Sequence, residues 1–221
     1  MSNNENELLP LTTRQETLDD IAAILASIPP MIGGPISAVL AGISQSRKLE
    51  RVRDVLEVMA KEIKDLKSEV SEKYVRTEDF EDLLEKTLRQ VADERNDEKR
   101  KAYAAFLAND IRSPGKPYDE KIRILRTLEE VQADHIRMLK ALRQEPDRDI
   151  RGYAGSVIQT LQKRLPDISR ERITDLAQQL TVMQMADLSR INTMMTARGA
   201  EELQHTVTPY GRNFIQYIIS D

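Results

Sequence analysis

Residues 21–46 read IAAILASIPPMIGGPISAVLAGISQS. The stretch carries no charged side chain, although 32% of the chain is charged. Leu18, Ile21, Leu25 and Ile28 recur on one helical face. Thr13-Arg14-Gln15-Glu16 fits a capping box, so this helix is expected to open at Thr13. Pro29-Pro30 should end it, because proline lacks an amide donor and disfavours helix at the residue before it. Gly33-Gly34-Pro35 predicts a second break, with Pro35 as the first residue of the next helix. Gly34, Ala38 and Gly42 follow at four-residue spacing. They make a smooth strip that another backbone can approach closely. The stretch therefore predicts an apolar helical hairpin, broken by glycine and proline, inside an all-helical N-terminal domain.

Beyond Leu49 the pattern becomes amphipathic without an obvious stop. Leu49, Val52, Leu56, Met59, Ile63, Leu66 and Val70 alternate at steps of three and four, a heptad seam. Charged residues between them form a solvated face. The pattern predicts one helix from Pro35 to about Ser71, roughly 55 Å long. The seam fits packing inside one chain, as in a three- or four-helix bundle, and also fits a coiled coil between chains. Thr77 caps the next helix, with Glu78 and Asp79 in its first turn and Phe80, Leu83, Leu84, Leu88 and Val91 on its buried stripe. The DERNDEKRK run is an exposed turn of that helix or a short break, and Ala102, Tyr103, Phe106 and Leu107 resume the apolar face. Residues 113–117, SPGKP, read as a linker. Residues 1–12 read as a disordered tail, and their lack of a basic start argues against a secretory signal. The expected domains are thus 13–112 and 118–221.

The second domain predicts helices near 119–131, 133–144, 153–164 and 169–186, the last capped by Ser169. Gly199 is expected to turn a small β-ribbon, and Thr208-Pro209 to open a terminal helix carrying Phe214, Ile215 and Ile218. The fold class expected is mainly α: an N-terminal bundle with a long heptad helix, and a C-terminal winged-helix-like domain with a small β-ribbon.

Composition narrows the chemistry. The 221 residues include no Cys and no Trp, two His, and a net charge of −4. This excludes disulfides, thiolate metal sites and a cysteine nucleophile, and argues against a globally basic nucleic-acid binder. Glu202-x-x-His205 is half of a helical di-iron motif, but His135 lacks the matching glutamate, so no metal or other cofactor is expected. Glu78, Asp79, Glu81, Asp82 and Glu85 read as a solvated helix surface. No phosphate loop, GxSxG elbow or GxGxxG fingerprint occurs, and no enzyme activity is expected.

The order of elements ending in HTVTPYGRNF, residues 205–214, resembles winged-helix modules. The signature is Thr208-Pro209-Tyr210-Gly211-Arg212. That resemblance implies that the helix from Ser169 holds the recognition position and that the ribbon around Gly199 is the wing. The whole layout resembles bacterial abortive-infection-type proteins with an LTPxGxxF-like ending, with Thr206-Val207 where Leu is usual. IPPMIGGPISAVLAG is similar to membrane-active helical cell-death domains of the HeLo-like type and their bacterial analogues. These resemblances imply a toxin-like effector of antiviral defence.

Two readings of the hairpin compete: burial in a soluble bundle, and insertion into or association with a membrane. Ile21–Ile28 and Met31–Ile43 are each too short for the ~20 residues of a full span, so an interfacial or re-entrant, oligomer-dependent mode is expected. The residues assigned to membrane or oligomer contact are Ile21, Ile24, Leu25, Ile28, Ile32, Gly34, Ile36, Ala38, Leu40 and Gly42. For nucleic acid the candidates are Lys163, Arg164, Arg170, Arg172, Arg190 and Arg198. The leading expectation is a non-enzymatic effector or interaction protein, cytoplasmic or recruited to the inner membrane. It would act through self-association or a protein partner, with no small-molecule substrate. The alternatives are a DNA-binding regulator dimerising through its N-terminal helices, and a soluble helical scaffold.

Overall fold

A computed structural model describes residues 11–27, 30–65, 72–112, 114–146 and 154–219; at 11–13, 30–32, 35, 62–65 and 72 it describes the backbone alone. The expected tail through residue 10, with Ile28, Leu66 and Val70, lies outside the described residues. The fold is mainly helical, with one two-stranded antiparallel sheet among the described residues. The chain divides into two units, Met1–Glu129 with Tyr217–Asp221 and Glu130–Gln216. Residues 113–117, expected to separate the domains, fall inside the first unit.

The first unit holds α1 (Leu11–Ala26), α2 (Pro30–Ala41), α3 (Ser46–Asp65), α4 (Glu72–Val75), α5 (Glu78–Asp93), α6 (Asp97–Arg112) and α7 (Tyr118–Glu130). Helix α1 starts at Leu11, slightly before the expected Thr13 cap, a shift typical of helix ends. Helix α2 starts at Pro30, so Pro30 takes the first-position role expected of Pro35. It continues through Gly33-Gly34-Pro35 because its far half is anchored: Ile36, Val39 and Ile43 are buried, and packing outweighs weak local propensity.

The single long helix expected from Pro35 to Ser71 does not form. Helix α2 closes at Ala41 with Gly42 N donating to Val39 O (3.1 Å), and α3 restarts where Lys48 N donates to Gln45 O (3.0 Å). Gly42 and the Ser44-Gln45-Ser46 run favour a cap over continuation. The corner lets both helices bury apolar faces in the same bundle.

Helix α3 lies at the centre of this unit, against α1, α5 and α6. Leu49, Val52, Leu56 and Met59 are each 0% exposed. The heptad seam is therefore consumed within the chain over these positions; Ile63 lies in α3, but its side chain is outside the described residues. Helix α6 is buried without interruption from Ala102 to Ala108, the mark of a helix packed on all sides. Thr77 caps α5, its Oγ1 accepting from Phe80 N (3.3 Å). The acidic-basic run is a short break at 94–96, after which Asn96 Oδ1 accepts from Lys99 N (3.2 Å) to open α6.

The second unit holds α8 (Ala133–Arg143), β1 (Ala154–Gly155), α9 (Val157–Arg164), α10 (Arg170–Val182), β2 (Met195–Thr196), α11 (Ala197–Glu201), a 3-10 turn (Gln204–Thr206) and the start of α12 (Pro209–Ile218). Helix α9 starts later than expected because Ala154 and Gly155 pair with Thr196 and Met195. The expected ribbon around Gly199 is corrected. Gly199 lies in α11, whose first turn is capped by Thr196 Oγ1 accepting from Gly199 N (3.1 Å).

Helix α10 stops at Val182, short of the expected 186, in a Schellman closure. Met185 N donates to Leu180 O (2.9 Å) and Gln184 N to Thr181 O (3.0 Å), with Gln184 at φ 57°. The Thr-Pro-Tyr-Gly sequence locks onto this closure. Thr208 N donates to Met185 O (3.0 Å), and its hydroxyl donates to Gln184 O (2.6 Å) while accepting from Gly211 N (2.9 Å). The motif is thus a structural fastener for the start of α12.

Candidate functional site

The hairpin divides by face. On α1, Thr17 and Ile21 are buried, Ile24 and Leu25 half-buried, and Ala22, Ala23 and Ala26 exposed. On α2, Ile36, Val39 and Ile43 enter the core and Leu40 is half-buried, while Ser37, Ala38, Ala41 and Gly42 face solvent together with Gly34. The residues grouped from sequence therefore do two jobs. Ile21 and Ile36 hold the hairpin down; Gly34, Ala38 and Gly42 form an outward, uncharged strip. Ile32 lies in α2, with its side chain outside the described residues. A Cβ added at Gly33 or Gly34 meets nothing within 4 Å, so among the described residues no neighbour covers the strip there. Beside it opens a cleft of about 370 Å³ lined by Val39, Gly42, Ile43, Lys48, Arg89 and Asp93. Lys48 and Asp93 form an ion pair at its wall. Among the described residues, no helix is long and apolar enough to cross a membrane.

Among the described residues, the basic side chains of the second unit do not form one phosphate-facing set. Arg164 is corrected to a structural residue. Its side chain is 8% exposed and pairs with Glu201 Oε2 (3.0 Å), and its Nη1 donates to Ala141 O at the end of α8 (2.7 Å). Thr160 donates to the other Glu201 oxygen (3.2 Å). Burial makes the arginine a tie between α8, α9 and α11. Arg172 is engaged by Asp134 (3.6 Å) and Gln132, and Arg198 by Glu202 (2.7 Å). Lys163 is largely exposed, 3.7 Å from Glu201; Arg170 and Arg190 are exposed. The outward face of α10 presents Glu171, Asp175, Gln178 and Val182. Two carboxylates on that face oppose a phosphate backbone. Val182 is 84% exposed and borders a groove of about 470 Å³ with Ala177, Leu188 and Ile191.

A buried polar cluster in the first unit escaped sequence reasoning. Asp110 is 0% and Lys121 1% exposed. Their charged atoms are 2.8 Å apart. Tyr74 donates to Asp110 Oδ2 (2.6 Å) and accepts from Lys121 (2.7 Å); Tyr217 donates to Asp110 Oδ1 (3.2 Å). Burial, together with hydrogen bonding to Asp110 and its charge, raises both phenol pKa values well above the usual tyrosine range, so both hydroxyls stay protonated donors. The cluster joins α4, α6, α7 and the end of α12. Its members are mutually satisfied, which suits structure better than catalysis.

Glu202 is held by Arg198 and His205 is exposed, and no group of three metal-ligating side chains occurs among the described residues. Asp82 is engaged by Lys86 and Tyr118, and Glu85 by Arg89. His135 is buried, and its Nδ1 accepts from Gln132 N (3.0 Å) at the start of α8. Burial lowers its pKa from 6.5. The neutral ring is the one that caps, so below about pH 6.5 the unfolded chain takes up the proton first. Stability from this group is therefore fully present above that pH and falls as pH drops through the window beneath it. Denaturation of the wild type and His135→Asn between about pH 5 and 8 should show a smaller acid-side loss in the variant. Parallel profiles would dismiss the histidine as the cause.

Comparison of the chain with protein-family profiles, curated proteins and solved structures finds no match.

Proposed function

We propose that the protein is a non-enzymatic effector or interaction protein whose working surface is the charge-free outer face of α2 and of the α1 residues from Ile21 onward. Self-association packs the Gly34/Ala38/Gly42 strips of several chains together and delivers the hairpin to a membrane interface. The carrying observation is that this strip is exposed and uncovered while Ile21, Ile36, Val39 and Ile43 hold the hairpin from beneath. Each such large side chain contributes about 1.5–3 kcal/mol through burial. Lifting the hairpin into water is therefore costly, but an apolar bilayer boundary returns most of that cost. At about 18 Å, α2 is shorter than a ~30 Å hydrocarbon core, which favours an interfacial or re-entrant pose over a span. In this reading the chain is cytoplasmic until recruited to the inner membrane, and the abortive-infection resemblance is in keeping with a phage-defence role.

The second unit reads as a winged-helix-like module used for protein contact. The order α8, β1, α9, α10, β2 supports the winged-helix reading, and the acidic-apolar outer face of α10 favours a protein over DNA. A salt-dependent mobility shift that weakens when Arg170 and Arg172 are neutralised would favour DNA binding instead.

Gly34→Leu tests the main reading cleanly. A Cβ added there meets nothing within 4 Å among the described residues, and leucine is the better helix former by up to about 1 kcal/mol. The variant should be at least as stable as wild type, yet lose self-association by light scattering and leakage of anionic vesicles. Equal association and leakage in both proteins would remove the strip from the mechanism. A wild type that neither binds nor permeabilises vesicles under any oligomerising condition would remove the membrane.

A further inference from the structure

Helix α10 carries both halves of a self-complementary contact. Val182, in its last turn, is 84% exposed. Beside it, α10 and residues 188–192 enclose a groove of about 470 Å³ whose buried members are Ala177, Leu188 and Ile191. The two ends of the groove differ in charge. At the N-terminal end of α10, Arg170 donates to Asn192 Oδ1 (3.4 Å), a groove residue. At the other end, Leu188 N donates to Thr181 Oγ1 (3.3 Å), and Ser189 N and Oγ hold the exposed Asp187 carboxylate (3.2 and 2.7 Å). Arg190, also exposed, is a weaker influence on that carboxylate than Ser189. The acids of α10, Glu171 and Asp175, lie in its N-terminal half, whereas residues 178–186, QQLTVMQMA, carry no charge.

We propose that this face of α10 binds a second copy of the chain: two α10 helices pair antiparallel about a two-fold axis beside Gln178, and each Val182 enters the other's groove. The inference rests on the protein-contact reading of the second unit and names the partner. Helical spacing sets the register. Arg170 precedes Gln178 by about 12 Å, and Val182 follows it by about 6 Å. The two-fold therefore brings Val182 against the partner's Thr174, which lines the groove, and Arg170 toward the partner's Asp187, just past the closure of α10. Gln178 meets its own copy on the axis, where each amide offers a donor and an acceptor. Parallel pairing would set Glu171 against Glu171 and Asp175 against Asp175. Antiparallel pairing sets both against the uncharged end and opposes the two helix dipoles. The contact is isologous, each copy supplying knob, groove and both charges, so the pair closes at two chains. The hairpin strip gathers several chains; α10 joins only two.

The test uses the full chain carrying Gly34→Leu, which removes the larger assemblies that light scattering reads and should leave this pair as a concentration-dependent dimer in the analytical ultracentrifuge. Adding Val182→Lys should weaken the dimer by about tenfold or more. It should keep its helical circular dichroism, because the site is exposed and a cation suits the end of a helix. Arg170→Asp and Asp187→Arg should each weaken the dimer by setting like charges together. Mixed in equal amounts, these two variants should form a heterodimer, since each then meets the charge that its own copy lacks. A parent that stays monomeric at every concentration overturns the proposal, as does a Val182→Lys protein that dimerises like its parent. A mixture that associates no better than its components overturns it too. Should Asp187→Arg unravel its loop for want of the Ser189 contacts, Val182→Lys decides alone. The strip is scored by vesicle leakage, the protein-contact reading by the mobility shift and the α10 pair by dimer mass, so the failure of one is told from the failure of another.

Discussion

Lys121→Met should cost about 3–5 kcal/mol of stability, because it leaves the fully buried carboxylate of Asp110 without its counter-charge. Methionine fills most of the lysine's volume, so cavity formation is a minor part of the loss. Tyr74 and Tyr217 still donate to the carboxylate, but two neutral hydroxyls do not replace an ammonium 2.8 Å away. The double variant Asp110→Asn/Lys121→Met should recover most of the loss. Its amide oxygen accepts from the tyrosines and carries no charge to desolvate. Urea denaturation of the four proteins in the cycle measures the coupling. Additive single costs, with no recovery in the double variant, would show that the pair is not coupled as the geometry requires.

Gly211→Ala should be the most damaging single-methyl addition in the second unit. A Cβ there would stand 2.0 Å from Met185 O and 2.9 Å from its carbonyl carbon. The obstacle is backbone, so no rotamer change relieves it. Moving the carbonyl breaks the Thr208 N to Met185 O bond (3.0 Å) and the Schellman closure it belongs to. Overpacking of this kind costs about 3 kcal/mol, which lowers the melting temperature of a unit this size by roughly 10–20 °C. Thr208→Val, which removes only the cap hydroxyl, should cost about 1–2 kcal/mol. Differential scanning calorimetry separates the two. An alanine variant melting within a few degrees of wild type would mean that the close approach at Met185 is not obligatory.

The elements themselves were largely legible. Thr77 and Ser169 cap where their hydroxyls precede apolar stripes, and the α3 seam is buried as a three-four stripe should be. The misreadings share a cause. The apolar pattern continues on both sides of Gly42, so periodicity predicts one helix from Pro35 to Ser71 and does not register the corner that closes α2 there. The strands at Gly199 were expected from a turn residue, whereas the Thr196 hydroxyl three residues earlier caps a short helix instead. Lys121 stands one turn before Ile124 and Leu125 on a buried stripe, and Asp110 one turn after Phe106 and Leu107. A charge on an apolar stripe was the available signal for the buried pair. Arg164 shows the opposite case: a basic helix end resembles a phosphate contact in sequence, and only the fold brings Glu201 to it.

Local sequence determined the helices, their caps and the absence of charge from Ile21 to Ser46, because each depends on residues a few positions apart. Tertiary packing alone decided which face of the hairpin is hidden, that Asp110 meets Lys121, Tyr74 and Tyr217, and that Arg164 is spent on Glu201. Those outcomes depend on residues far apart in the chain, and the energy that selects among pairings exists only once burial has removed water from between them.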